Sequence, residues 1–69
     1  MTKTQKHLYY CGFIQTQPDF YETPLDKTLW LGTHTKGKTT YYQLFRKDQE
    51  LTSGKVKELE KNFSLVNNN

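Results

Sequence analysis

Residues 28–46 read TLWLGTHTKGKTTYYQLFR. Threonine, tyrosine, tryptophan and leucine dominate the run, residue types that suit a pleated, half-buried surface. It is broken once, at Lys36-Gly37, where glycine supplies the positive φ of a tight hairpin turn. The stretch is therefore expected to form two antiparallel strands, 28–35 and 38–46. With a two-residue turn, Thr35 faces Lys38, Leu31 faces Tyr42 and Leu29 faces Leu44. Side chains alternate along a strand. One face then carries Leu29, Leu31, Tyr42 and Leu44, and the other Trp30, Gly32, His34, Tyr41, Gln43 and Phe45. A turn of another length shifts this pairing.

Upstream, residues 7–16 (HLYYCGFIQT) are rich in aromatic and β-branched types and read as a third strand, apolar on both faces, with Gly12 marking a bulge. Residues 17–26 (QPDFYETPLD) hold Pro18 and Pro24 and read as a loop, since proline removes an amide donor and restrains its predecessor. Downstream, Val56, Leu59, Phe63 and Val66 recur at helical spacing, so residues 52–66 are expected to form a helix. Thr52 would cap it, with Leu51 and Val56 as a hydrophobic staple. The apolar stripe needs a surface to pack on, and the leucine-bearing sheet face provides one. The expected fold class is α+β: a three-stranded antiparallel β-meander with one C-terminal helix on one face. Residues 1–69 form a single small domain, with 1–6 a basic flexible N-terminus and 67–69 a frayed end.

The chain has 69 residues, of which 33% are hydrophobic, 25% charged and 14% aromatic. That aromatic content belongs to a folded chain rather than a disordered one. A domain of this size buries only about 60% of the surface its unfolded chain exposes, which leaves little volume for a deep catalytic cleft. Cys11 is the only cysteine, so an internal disulfide and a cysteine-rich zinc site are excluded and a reducing, cytoplasmic compartment is expected. No apolar run approaches the roughly 20 residues of a membrane span. The net charge is +3, and Lys36, Lys38, Arg46 and Lys47 form a block with no acid inside it. Such a block attracts polyanions.

Residues 32–39, GTHTKGKT, satisfy G-x-x-x-x-G-K-[ST] and follow an apolar strand. Over these eight residues the chain resembles the phosphate-binding loop of the P-loop NTPases. That resemblance implies backbone amides around a phosphate, Lys38 on its oxygens and Thr39 on magnesium. The motif must open a helix, whereas the residues after it, TTYYQLF, favour strand. Trp30-Leu31-Gly32-Thr33 resembles a fragment of the plant three-stranded DNA-binding domains, over four residues only.

Aromatic rings that stack on bases, beside cations that track phosphates, are what nucleic-acid binding requires. The hairpin offers Trp30, His34, Tyr41 and Phe45 with Lys36, Lys38, Arg46 and Lys47. Against this stands burial of the same rings in a second core or a homodimer interface. The loop residues Asp19, Phe20, Tyr21 and Glu22 combine acidic and aromatic character and would suit a basic protein surface. His7, His34 and Cys11 have no catalytic or metal-ligand spacing, so no catalytic residue, metal or other cofactor is expected. The leading expectation is a small non-enzymatic accessory protein, monomer or homodimer, that binds DNA or RNA through its basic aromatic hairpin. The alternative is a protein-interaction module that docks on and modulates a larger enzyme or complex. A third reading is phosphate or nucleotide binding through residues 32–39.

Overall fold

The computed structural model describes residues 2–63. Its elements run α1 (Lys3–Tyr10), β1 (Ile14–Gln17), β2 (Phe20–Glu22), β3 (Leu29–Lys36), β4 (Thr39–Arg46), β5 (Gln49–Lys55) and α2 (Val56–Asn62). The five strands form one antiparallel sheet in the order β1-β2-β3-β4-β5, so each strand pairs with its neighbours in sequence. This corrects the three-stranded expectation. Two strands were hidden, one in the proline-bearing loop and one in the front of the expected helix, and a helix stands where a strand was expected.

The first helix is set by its ends. The Thr2 hydroxyl accepts from the Gln5 amide at 3.1 Å and the Gln5 side chain accepts from the Thr2 amide at 2.7 Å, a complete capping box. At the other end Gly12, at φ 100°, donates to the Tyr9 carbonyl at 2.9 Å, and Phe13 donates to that of Leu8 at 2.8 Å. That is a Schellman closure, which calls for glycine at this point. Gly12 is thus a helix stop and not a strand bulge, and the basic start of the chain lies within α1. Aromatic residues at 9 and 10 favour strand locally, but caps at both ends and burial of Leu8 and Cys11 outweigh that preference.

Residues 17–26 hold a tight turn at Pro18-Asp19, with Gln17 paired to Phe20 and Asp19 at φ 58°. The β3–β4 register is Lys36 with Thr39, Leu31 with Leu44 and Leu29 with Arg46. The two turn residues are therefore Gly37 and Lys38, with Gly37 at φ 65°. The pairing is offset by two residues from that of a Lys36-Gly37 turn, and an even offset leaves every side chain on its face. Thr52 is not a helix cap: it lies in β5 opposite Leu44, and α2 begins at Val56 with no side-chain cap bond. Val66 and residues 67–69 lie outside the described residues.

The core sits on one side of the sheet. Leu29, Leu31, Tyr42 and Leu44, with Tyr21 from β2, meet Leu8 of α1, Cys11 and Phe13 after it, and Val56 and Leu59 of α2. Phe63 closes the edge, its ring 6.3 Å from that of Phe13. Each fully buried large apolar side chain contributes roughly 1.5–3 kcal/mol relative to an exposed one. The opposite sheet face carries none of these core residues, and both helices lie on the core side. Among the described residues no helix is long and apolar enough to cross a membrane.

Candidate nucleic-acid interface

Alternation along β3 and β4 sends Trp30, Gly32 and His34, and their partners Phe45, Gln43 and Tyr41, to the face away from the helices. Trp30 and Phe45 stack with centroids 4.2 Å apart and planes 6° from parallel. Phe20 of β2 meets Trp30 edge-on at 5.3 Å and 81°. The Trp30 indole N–H donates to the carbonyl oxygen of Lys47 at 2.8 Å. His34 and Tyr41 form a second stack at 5.4 Å and 16°. Gly32 and Gln43 separate the two stacks. At about 3.3 Å of rise per residue the stacks lie roughly 13 Å apart along the strands. With no side chain on Gly32, the floor between them is low.

Charge is divided along this platform. Lys55 of β5 is the partner of Tyr41, and Lys36 is the partner of Thr39, so the His34–Tyr41 end is cationic. Glu22 is opposite Trp30 and Glu50 opposite Phe45, so the indole end is flanked by carboxylates. Gln43 donates to Glu50 at 3.2 Å. Lys38 stands exposed in the hairpin turn beside the cationic end.

Arg46 does not belong to this face. It pairs with Leu29 on the core side, and its guanidinium donates to the Asp26 carboxylate at 3.0 Å and to the Thr28 hydroxyl at 3.2 Å. Its charge is thus committed to anchoring the loop before β3. The Asp26 carboxyl is held below the ordinary aspartate value, first by the Thr28 hydroxyl and amide, then by Arg46. Lys47 sits in the β4–β5 turn, far from the cationic end. The eight expected contact residues therefore separate. Trp30, His34, Lys36, Tyr41 and Phe45 share one face, Lys38 adjoins it, Lys47 touches it through its backbone, and Arg46 is turned away.

The acidic loop set divides too. Phe20 joins the aromatic platform and Glu22 is exposed beside it. Tyr21 is 3% exposed and faces the core, which raises its hydroxyl pKa through burial and then through the Asp19 charge. Asp19 closes the β1–β2 turn, its carbonyl accepting the Thr33 amide at 3.0 Å. Tyr21 is therefore not available as a surface contact.

Residues 32–39 form strand, turn and strand, with Thr39 opening β4. A nucleotide-binding loop needs a helix at that point. Cys11 lies in the core and His34 on the opposite face of the sheet, so the two do not meet. Among the described residues no group of three His, Cys, Asp or Glu side chains could hold a metal ion.

From sequence, Phe20 was singled out only for a protein contact and Lys55 not at all; neither was expected on the nucleic-acid face. The signal for both was strand pairing: once residues 20–22 and 49–55 are strands, alternation places Phe20 beside Trp30 and Lys55 beside Tyr41. A separate apolar surface lies around β1, where Tyr9, Tyr10, Ile14 and Leu25 are each about half exposed and border a shallow groove of about 370 Å³. Comparison of the chain with protein-family models, curated proteins and solved structures finds no match.

Proposed function

We propose that this chain is a small non-enzymatic accessory protein of the cytoplasm that binds single-stranded nucleic acid across the open face of its sheet. The observation that carries the reading is the gathering of five rings, Phe20, Trp30, His34, Tyr41 and Phe45, on the one sheet face that no helix covers. The stacked pairs leave their outer faces and edges for unpaired bases, and Lys36, Lys38 and Lys55 stand at the end where a backbone phosphate would be met. A single strand suits this face better than a duplex. The rings belong to the middle of a five-stranded sheet rather than to a protruding ribbon that could enter a groove. The lone cysteine, buried at Cys11, fits a reducing compartment.

The test is fluorescence anisotropy with labelled oligothymidine and oligouridine at rising salt, paired with amide shift mapping. Binding that weakens with salt and moves the amides of Trp30, His34, Tyr41 and Lys55 supports the proposal. Affinity that is absent at low salt, or shifts confined to the helix side, overturns it.

A protein-docking role is the second reading, and a different surface favours it: the half-exposed Tyr9, Tyr10, Ile14 and Leu25 around β1. Large apolar patches of this kind mark interaction sites. A Tyr10→Asp, Leu25→Asp pair that abolishes capture of a protein partner, while oligonucleotide affinity is unchanged, would assign docking to that patch.

A further inference from the structure

Three segments distant in sequence meet at the end of the sheet where the β3–β4 hairpin turns. The start of α1, the hairpin turn with the first residues of β4, and the start of α2 enclose a cleft of about 400 Å³. Lys3, Lys38 and Lys57 line it, one from each segment, together with Thr4, Thr39 and Thr40, the Thr40 hydroxyl being hydrogen-bonded to that of Thr35 at 3.2 Å. His7 lies in the same wall, and the lining residues described include no carboxylate. The cleft is thus bordered by cationic side chains from three separate elements, a distribution that attracts an anion.

We propose that this cleft is a binding site for a diphosphate group, free or carried on a nucleoside. The chemistry fits on three counts. Three ammonium groups match the charge of a diphosphate, and lysine binds phosphate as a compact point charge with rotatable donors. The Thr4 hydroxyl can donate to a phosphate oxygen without adding charge. The cleft also exceeds a diphosphate in volume, which leaves space for a carrier. Lys38 and Thr39, the last two residues of the GKT sequence, thus take part in a phosphate site. They do so through tertiary neighbours in the two helices and not through a loop that wraps the anion. The site shares Lys38 with the cationic end of the aromatic face but otherwise draws on the helix side of the sheet, and it stands whether or not that face binds nucleic acid.

Amide shift mapping with pyrophosphate, ADP and sulfate in low-salt buffer tests the proposal on the intact chain. Saturable shifts at residues 3–7, 38–40 and 56–57 with pyrophosphate, at least tenfold tighter than with sulfate, are expected. Tighter binding of ADP than of pyrophosphate indicates a nucleoside carrier, and equal binding the free anion. Lys38→Gln with Lys57→Gln, both exposed positions, should weaken pyrophosphate at least tenfold and keep a dispersed amide spectrum. Trp30→Phe should leave pyrophosphate binding intact, which separates this site from the sheet face. Shifts spread evenly over all lysines, including Lys27 and Lys47, or equal affinity for sulfate, would overturn the proposal. So would unchanged affinity in the double variant.

Discussion

Trp30 and Lys47 are joined across the end of the sheet by an indole N–H···O=C bond of 2.8 Å. The Lys47 amide in turn donates to the Thr28 carbonyl at 2.8 Å. Both backbone polar groups of Lys47 are thereby held while its φ stands at 55°. A non-glycine residue there carries about 1–2 kcal/mol of strain. Lys47→Gly keeps both bonds and relieves the strain, at some cost in unfolded-state entropy. A net gain of about 0.5–1 kcal/mol is expected, read as a Tm rise of several degrees. Gly37→Ala tests the converse at φ 65°, in open space where only backbone strain acts, and should lose about 1 kcal/mol.

Tyr42 is 1% exposed, and among the described residues its hydroxyl has no hydrogen-bond partner. Its ring lies against Gly54, where an added Cβ would stand 3.6 Å from the ring edge. A buried hydroxyl left unpaired costs about 1–3 kcal/mol. Tyr42→Phe removes that cost and keeps the ring, so denaturant unfolding should show stability unchanged or raised by about 1 kcal/mol. Leu44→Ala, at a core position 0% exposed on the same strand, should lose about 2–5 kcal/mol and leave much of the chain unfolded.

Asp26 is held below its ordinary pKa by Thr28 and Arg46. A carboxyl whose folded pKa is lowered contributes stability above its unfolded value, about 3.9, and loses it as pH falls through the folded value. Asp26→Asn should therefore be less stable than the parent at neutral pH. The gap should begin to narrow below about pH 4 and close once pH has fallen through the lowered folded value, where the parent carboxyl is neutral too. Urea titrations at several pH values read this directly. A gap that persists in acid would assign the loss to the turn geometry instead of the charge.

Tyr41 stacks on His34 at the cationic end of the platform, whereas Phe45 is sandwiched toward Trp30 and the acidic end. Tyr41→Ala should weaken oligonucleotide binding by about 1–3 kcal/mol, roughly fivefold to 150-fold. Arg46→Gln should change affinity little, since that guanidinium is bonded to Asp26. Anisotropy titrations of the two variants side by side make the comparison.

The central hairpin was legible because its signals are local. Gly37 marks the turn, and Leu29, Leu31, Tyr42 and Leu44 alternate with Trp30, Tyr41 and Phe45. Its register was not legible, since Lys36-Gly37 and Gly37-Lys38 both offer glycine to the turn. The face assignment survives that ambiguity because the offset is even. β5 was hidden because it is an edge strand, with Leu51 its one large apolar residue, and its identity comes from pairing with β4 rather than from its own residues. The helical spacing of Val56 and Leu59 was real, and only its start was misplaced. α1 was hidden because Tyr9 and Tyr10 favour strand, although Thr2, Gln5 and Gly12 carried its boundaries in plain view. Within the site, the rings were visible but the loss of Arg46 was not, because its partner Asp26 lies 20 residues away.

The meander order has a kinetic meaning. Every strand pairs with the one before it, so the sheet can assemble hairpin by hairpin as short loops close, with little chain to bring together at any step. The contact between α1 and α2 is different, for it joins segments separated by the whole sheet. During synthesis α1 must wait, its Leu8 and Cys11 only partly covered by the sheet, until Val56 and Leu59 have left the ribosome. The helix pair is the final clasp of the molecule, and that interval is when a nascent chain of this sequence is most open to chaperones and proteases.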